Sequence, residues 1–249
     1  MTNPAGDEAN DTQDDASNTI DPFVFRDTPN ITLEELEADE DVNEPEPEPE
    51  LEPEPEGPYL RAAVILAAGE GSRFEGPTHK LLTEVNGKPL ILWAVESALA
   101  ATDCFDEVIV VSGAVDLEAV LPDAVTILHN DDWKLGQAIS LQVALRYAGM
   151  HGYEAVVVGL GDMPAIDPEA WKLVAREAGE LVTAEYSDGQ RPPVKLHADI
   201  WPLLPLGGDQ GARTLMQMRP ELVTAVLCPG LGLDLDTERD LRKWNLKTK

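Results

Sequence analysis

Ala62-Ala63-Val64-Ile65-Leu66-Ala67-Ala68-Gly69-Glu70-Gly71-Ser72-Arg73-Phe74 begins as an unbroken apolar run and closes on a glycine-rich turn with a cation. Ala62–Ala67 has the length and the Val/Ile content of a buried strand, and the turn ends it. Working outward, Glu107–Ser112, Val125–Leu128 and Ala155–Val158 repeat the pattern, each rich in Val and Ile and bounded by Gly, Asp or Asn. Amphipathic stretches lie between them at Leu90–Ala101, Gly136–Ala148 and Pro168–Ala178. Strand, helix, strand at this spacing means parallel strands joined by crossover helices. The expected fold class is α/β, a three-layer α/β/α sandwich with a mostly parallel, Rossmann-like sheet. Ligands of such sheets gather beyond the carboxyl ends of the strands, so residues that carry chemistry are sought there.

Before Tyr59 the composition changes. The chain has 249 residues with a formal charge of −29, and residues 1–58 hold 20 Asp and Glu against one basic residue, Arg26. They end in Glu44-Pro45-Glu46-Pro47-Glu48-Pro49-Glu50 and Glu52-Pro53-Glu54-Pro55-Glu56, where proline removes amide donors and like charges repel. The expected organisation is a disordered acidic tail, 1–58, followed by one domain, 59–249. Phe23, Val24 and Phe25 and the segment Ile31–Leu36 are its apolar clusters, read as scattered residues of a solvated tail or, alternatively, as helical turns formed on a partner. The acidic balance excludes a nucleic-acid backbone as partner, which would require clustered Lys and Arg. Apolar runs of strand size and the lack of a basic-then-apolar N-terminus predict no membrane association. Cys104 and Cys228, far apart in sequence, suit a reduced cytoplasm better than a disulfide scaffold.

The turn after the first strand suits phosphate: glycine lets backbone N–H groups approach phosphate oxygens, and Arg73 and Lys80 add positive charge. Two common phosphate motifs fail. Phe74 stands where a dinucleotide fingerprint needs its third glycine, and Pro77-Thr78 stands where the spacing of Gly71 and Gly76 would require Lys-Ser or Lys-Thr. The fourth strand runs into Gly159-Leu160-Gly161-Asp162-Met163-Pro164. A carboxylate on a tight turn at the binding edge can hold Mg²⁺, which prefers hard oxygen ligands, although Asp also serves simply as a turn residue. In Gly232-Leu233-Asp234-Leu235-Asp236-Thr237, a strand would turn both carboxylates the same way. Either could complete a metal site, with Asp236 preferred; alternatively Asp236 caps a helix over Glu238–Trp244. His79, His129, His151 and His197 share no metal-ligand spacing and read as structural or surface residues, and the five tryptophans read as packing residues.

Taken together, Leu66–Phe74 with Lys80-Leu81-Leu82, Gly161–Pro164 and Asp234–Thr237 resemble the nucleotidyltransferase superfamily that contains the molybdenum cofactor cytidylyltransferases and guanylyltransferases. Asn130–Leu141 and Gly208-Asp209-Gln210-Gly211-Ala212-Arg213 resemble the cytidylyltransferase branch, and the likeness spans residues 61–243. The resemblance implies that Leu66, Ala67, Ala68 and Gly69 lie against base and ribose, and that Gly71, Ser72, Arg73 and Lys80 hold the phosphates. It further implies that Asn130 contacts the nucleotide and that Asp162 binds Mg²⁺ with Asp236. Arg73, Lys80 and Asp162 are then the catalytic candidates. Ala67-Ala68-Gly69 resembles the cytosine-associated variant and implies CTP. Departures fall elsewhere: Gln190–Leu196 lacks the Gly-His-Pro expected on the acceptor side, and the loop Phe74–His79 is longer than the family pattern.

The implied reaction transfers a nucleoside monophosphate, CMP from CTP, onto a phosphorylated acceptor, molybdopterin, with release of pyrophosphate. The partners implied are the triphosphate, the acceptor, and a molybdoenzyme or its maturation factor. Two other readings stay open: a nucleotidyltransferase with a sugar- or alditol-phosphate acceptor, and a catalytically silent module that delivers nucleotide or pterin.

Overall fold

The computed structural model describes residues 59–237, 239–241 and 244. Its strands are β1 (Arg61–Leu66), β2 (Glu84–Val85), β3 (Lys88–Pro89), β4 (Glu107–Ser112), β5 (Thr126–His129), β6 (Ala155–Leu160), β7 (Leu181–Tyr186), β8 (Gly189–His197) and β9 (Val223–Leu227). The α-helices are α1 (Leu90–Leu99), α2 (Gln137–Met150), α3 (Pro168–Arg176) and α4 (Ala212–Met218). Seven strands form one sheet in the order β5-β4-β1-β6-β8-β7-β9, and β2 pairs with β3 in a small hairpin. All pairings in the large sheet are parallel except those of β8, which runs antiparallel to β6 and β7.

β1 lies inside the sheet, with Val64 beside Ile109 on one side and Val158 on the other. Its near-continuous apolar sequence is what a strand covered on both faces requires. Alternation divides it: Ala63 and Ile65 pack with Ile91 and Val95 of α1 and Trp171 and Val174 of α3. Ala62, Val64 and Leu66 pack with Leu141, Ala144 and Leu145 of α2. Two apolar layers against one sheet make the expected three-layer sandwich.

Each of the four expected strands and three expected helices is present, Glu107–Ser112 with the expected bounds and the others with ends shifted by at most two residues. α3 stops at Arg176 because Glu177 turns extended, at φ −62° and ψ 139°. β7, β8, β9 and α4 were not expected. Pro192 and Pro193 disguise β8; they are accommodated where the β7–β8 register shifts between Thr183 and Ala184, so neither proline must supply a ladder donor.

The reading of residues 232–237 as strand-like needs correction. Residues 231–236 form no strand, yet the chain still alternates, with Leu235 buried and Asp234 exposed. Thr237, not Asp236, begins the C-terminal helix: its N–H and hydroxyl both donate to Asp240 Oδ2, at 3.1 and 2.6 Å. Residues 239–241 and 244 are helical. The remainder of the expected helix Glu238–Trp244 and the whole expected tail, 1–58, lie outside the described residues.

Candidate active site

Beyond the carboxyl ends of β1 and β6 the loops enclose a cavity of about 460 Å³. Leu66, Ala67, Ala68, Gly69, Gly71, Ser72, Arg73, Lys80, Asp162 and Asp236 all line it. Their positions follow from the strands. Leu66 ends β1, the glycine-rich loop follows, and Asp162 lies two residues past β6. Gly71 adopts φ +68°, and a side chain there would come within 3.1 Å of Lys80 Cβ. At Gly69 a Cβ would meet nothing within 4 Å, so the backbone is open to a ligand at that point.

Lys80, in the 3-10 turn Lys80–Leu82, is buried with 6% exposure, yet its ammonium meets both carboxylates. Nζ donates to Asp162 Oδ2 and to Asp236 Oδ1, each at 2.7 Å. Arg73 Nη1 lies 2.7 Å from Asp236 Oδ2, although its side chain is 77% exposed. A buried ammonium requires such partners, since an unpaired charge out of water costs several kcal/mol. Asp234 also lines the cavity, but among the described residues it is Asp236 that pairs with both cations.

His79 fastens the loop to this turn. Leu81 N–H donates to Nδ1 at 3.2 Å, so the proton belongs on Nε2, which lies 3.1 Å from Gly69 O and donates to it. Burial is the main cause holding its pKa below the ordinary histidine range, with the neighbouring Lys80 charge acting in the same direction.

Asn130 is implied by the resemblance to contact the nucleotide. It is buried and absent from the cavity wall; its Nδ2 donates to Ser140 Oγ at 2.9 Å, and its Oδ1 accepts from Asp132 N–H at 3.0 Å. Ser140, on α2, does line the cavity, as do Trp133, Gln137 and Asp209. In sequence only the blocks Asn130–Leu141, for the first three, and Gly208–Arg213, for Asp209, signalled these residues. Trp133, expected to pack, is a wall of the site.

A second cavity, also about 460 Å³, shares Leu66, Gln137, Leu160, Asp209 and Asp234 with the first. Leu141, Val158, Met163, Val194 and Met216 give it apolar walls, and Arg191 and Arg213 stand in its lining. Arg191 is engaged by Asp188 at 3.1 Å. Gln190–Leu196, which departs from the family pattern on the acceptor side, and Gly208–Arg213, which resembles the cytidylyltransferase branch, both contribute to this wall.

No group of three or more His, Cys, Asp or Glu suited to a metal occurs among the described residues. The carboxylate pair Asp162 and Asp236 nevertheless fits Mg²⁺, which binds through one or two carboxylates and completes its shell with water and phosphate oxygens. Among the described residues no helix is long and apolar enough to cross a membrane.

Comparison with known proteins places this geometry. The family model described as "MobA-like NTP transferase domain" matches residues 63–224. The bifunctional protein GlmU of Hydrogenobaculum sp. (strain Y04AAS1) is 35% identical over 117 residues, which cover 46% of this chain and 25% of that protein. The chain thus spans about a quarter to a third of the length of such curated relatives. A nucleotidyl transferase from Methanothermobacter superposes with a TM-score of 0.64 at 25% identity, covering 76% of this chain and 99% of that one. Rv0371C from Mycobacterium tuberculosis H37Rv, solved in complex with manganese, gives a TM-score of 0.62 at 23% identity, covering 76% and 100%, a likeness of fold.

Proposed function

The chain belongs to the MobA-like NTP transferase domain family, and on that premise we propose that it transfers CMP from CTP to a phosphorylated acceptor, molybdopterin, releasing pyrophosphate. The observation that carries this reading is the arrangement of Lys80, Asp162 and Asp236 facing the glycine-rich loop, with a second cavity opening beside them. A phosphate oxygen of the acceptor attacks the α-phosphorus; the bond from that phosphorus to the bridging oxygen breaks, and pyrophosphate departs in line with the electron pair. No covalent enzyme intermediate is needed. The chain must position two anions and offset their repulsion.

Gly69 and Gly71 present backbone to the triphosphate, while Lys80 and Arg73 supply charge. Asp162 and Asp236 would hold Mg²⁺, which when bound screens the phosphate oxygens and polarises the reacting phosphorus. Asn130 acts through Ser140: the Ser140 oxygen accepts from the Asn130 amide, leaving its hydroxyl proton to donate toward a base. Ala67-Ala68-Gly69 supports CTP. The apolar walls of the second cavity favour an acceptor with broad apolar faces, such as a pterin, over a sugar or alditol phosphate. Cys104 and Cys228 are both free thiols, in keeping with a cytoplasmic setting.

Pyrophosphate release, measured for each of the four common ribonucleoside triphosphates against molybdopterin, a hexose phosphate and an alditol phosphate, tests the proposal. Release with CTP and molybdopterin supports it; equal release with a polyol phosphate overturns the acceptor, and no release with any pair overturns the activity.

A further inference from the structure

Apart from the two large cores, Val85, Leu90 and Leu235 are fully buried in a third cluster with Leu241, against which Phe74, Trp93 and Trp244 pack. Each segment of this cluster adjoins a charged group of the site. Phe74 follows Arg73, Val85 and Leu90 belong to the hairpin and helix that follow Lys80, and Leu235 precedes Asp236.

We propose that this satellite core is a clasp that sets Asp236 against Asp162, making Leu235 and Phe74 positioning residues of the transfer site. The inference rests on the metal assignment in the proposed function.

Asp236 lies in 231–236, which has neither helix nor strand, so no ladder places its carboxylate. Two other devices do. Leu235 N–H donates to Asp162 C=O at 3.0 Å, which bonds the backbone beside one carboxylate to the backbone of the other. The Leu235 side chain, 0% exposed, turns into the clasp. In an extended chain its neighbours must then turn the other way, and Asp234 and Asp236 both face the cavity. The Thr237–Asp240 cap at once starts a helix whose Leu241 returns to the same cluster. Asp236 is therefore bracketed by anchors on both sides.

The opposite partner of the Arg73–Asp236 pair is anchored there as well. Phe74 packs on the cluster, and a Cβ at Gly76 would lie 2.2 Å from its ring, so only glycine lets the loop fold back over Phe74. The longer loop Phe74–His79 thus belongs to the clasp. A displacement of about 1 Å at a reacting group costs on the order of a hundredfold in rate, so a small core can have a large functional effect.

The test compares wild type, Leu235→Ala, the milder Leu235→Val, the volume-conserving Leu235→Met, and Leu145→Ala from the core beneath α2. Mn²⁺ is titrated by water-proton relaxation, and exchange at the Leu235 amide is followed by NMR. Leu235→Ala, and to a lesser degree Leu235→Val, should weaken Mn²⁺ binding by about tenfold and raise the Mg²⁺ needed for half-maximal rate; Leu235→Met should restore both. Leu145→Ala should melt at least as early as Leu235→Ala while keeping Mn²⁺ affinity within about twofold of wild type. Phe74→Ala should accelerate exchange at the Leu235 amide, distant in sequence though it is. Unchanged Mn²⁺ affinity in folded Leu235→Ala and Leu235→Val, or a Leu235 amide indifferent to Phe74→Ala, overturns the clasp. If wild type binds no Mn²⁺ yet the amide responds, the clasp stands as a structural device and the metal assignment falls.

Discussion

The two cavities meet at Leu66 and Asp234, but they are built from different parts of the sheet. The first lies beyond the parallel strands β1 and β6 and is bordered by glycine backbone, carboxylates and the cations Arg73, Lys80 and Lys134. The second leans on the antiparallel β8 and the segment entering α4, and its walls are Leu141, Val158, Met163, Val194 and Met216. One side suits a charged chain of phosphates that every nucleoside triphosphate carries. The other suits the body of a particular acceptor. Variants should therefore separate cleanly into those that damage nucleotide and metal handling and those that damage acceptor use.

The largest effect is expected at Asp162. Asp162→Asn keeps the shape of the side chain and removes its charge, so kcat should fall by about 10²-fold or more while the melting curve stays cooperative. Asp236→Asn should behave similarly. If Asp234→Asn instead were the variant that lost turnover, the pairing of Asp236 with Lys80 and Arg73 would be structural and the metal ligand would be Asp234.

Lys80 and Arg73, the cations paired with Asp236, sharpen the same comparison. Lys80→Ala leaves two part-buried carboxylates without their shared ammonium and should weaken both triphosphate use and stability. Arg73 is largely exposed, and pairs of that kind contribute only about 0.2–1 kcal/mol to stability, so Arg73→Ala should affect the KM for CTP and leave the melting temperature nearly unchanged. Equal stability losses in the two variants would contradict the difference in burial. On the acceptor side, Arg213→Ala should raise the KM for the phosphorylated acceptor by about tenfold, the scale of one charge-assisted contact, with CTP binding unaffected.

The parallel part of the site was legible in sequence because each of its parts has a local signature. A Val/Ile run marks a strand covered on both faces, and the residues just past it reach the binding edge. That logic located Gly69–Arg73, Lys80 and Asp162 without any tertiary information. The antiparallel part carries no such signature. Pro192-Pro193 obscures β8, and α4 is only seven residues long, Ala212–Met218. Asn130 shows a subtler gap: its sequence block marked the site, but burial turned its amide onto Ser140, a partner that only folding supplies. His79 gave no signal either, because its role depends on Gly69 and Leu81 converging on one ring.

That ring predicts a smaller, pH-dependent effect. Burial pushes His79 below its ordinary pKa, so as pH falls the unfolded chain takes up a proton that the folded one resists. The His79 contribution is complete above about pH 6.5, the ordinary histidine value, and is lost as pH falls from there through the lowered value of the folded state. Wild type should thus lose more melting temperature than His79→Gln between about pH 8 and pH 5.5; parallel losses would remove the loop-tethering role. Smallest of all should be the effect of deleting residues 1–58, proposed as dispensable for chemistry, on kcat and on melting. A loss of either would move the domain boundary.

Transfer itself is tested most directly with CTP labelled at its α-phosphorus, incubated with Mg²⁺ and molybdopterin. The label should appear in the acceptor in step with unlabelled pyrophosphate, and Asp162→Asn should abolish both. Label recovered as free CMP without an acceptor adduct, or CTP left unconsumed by the wild-type protein, would contradict it.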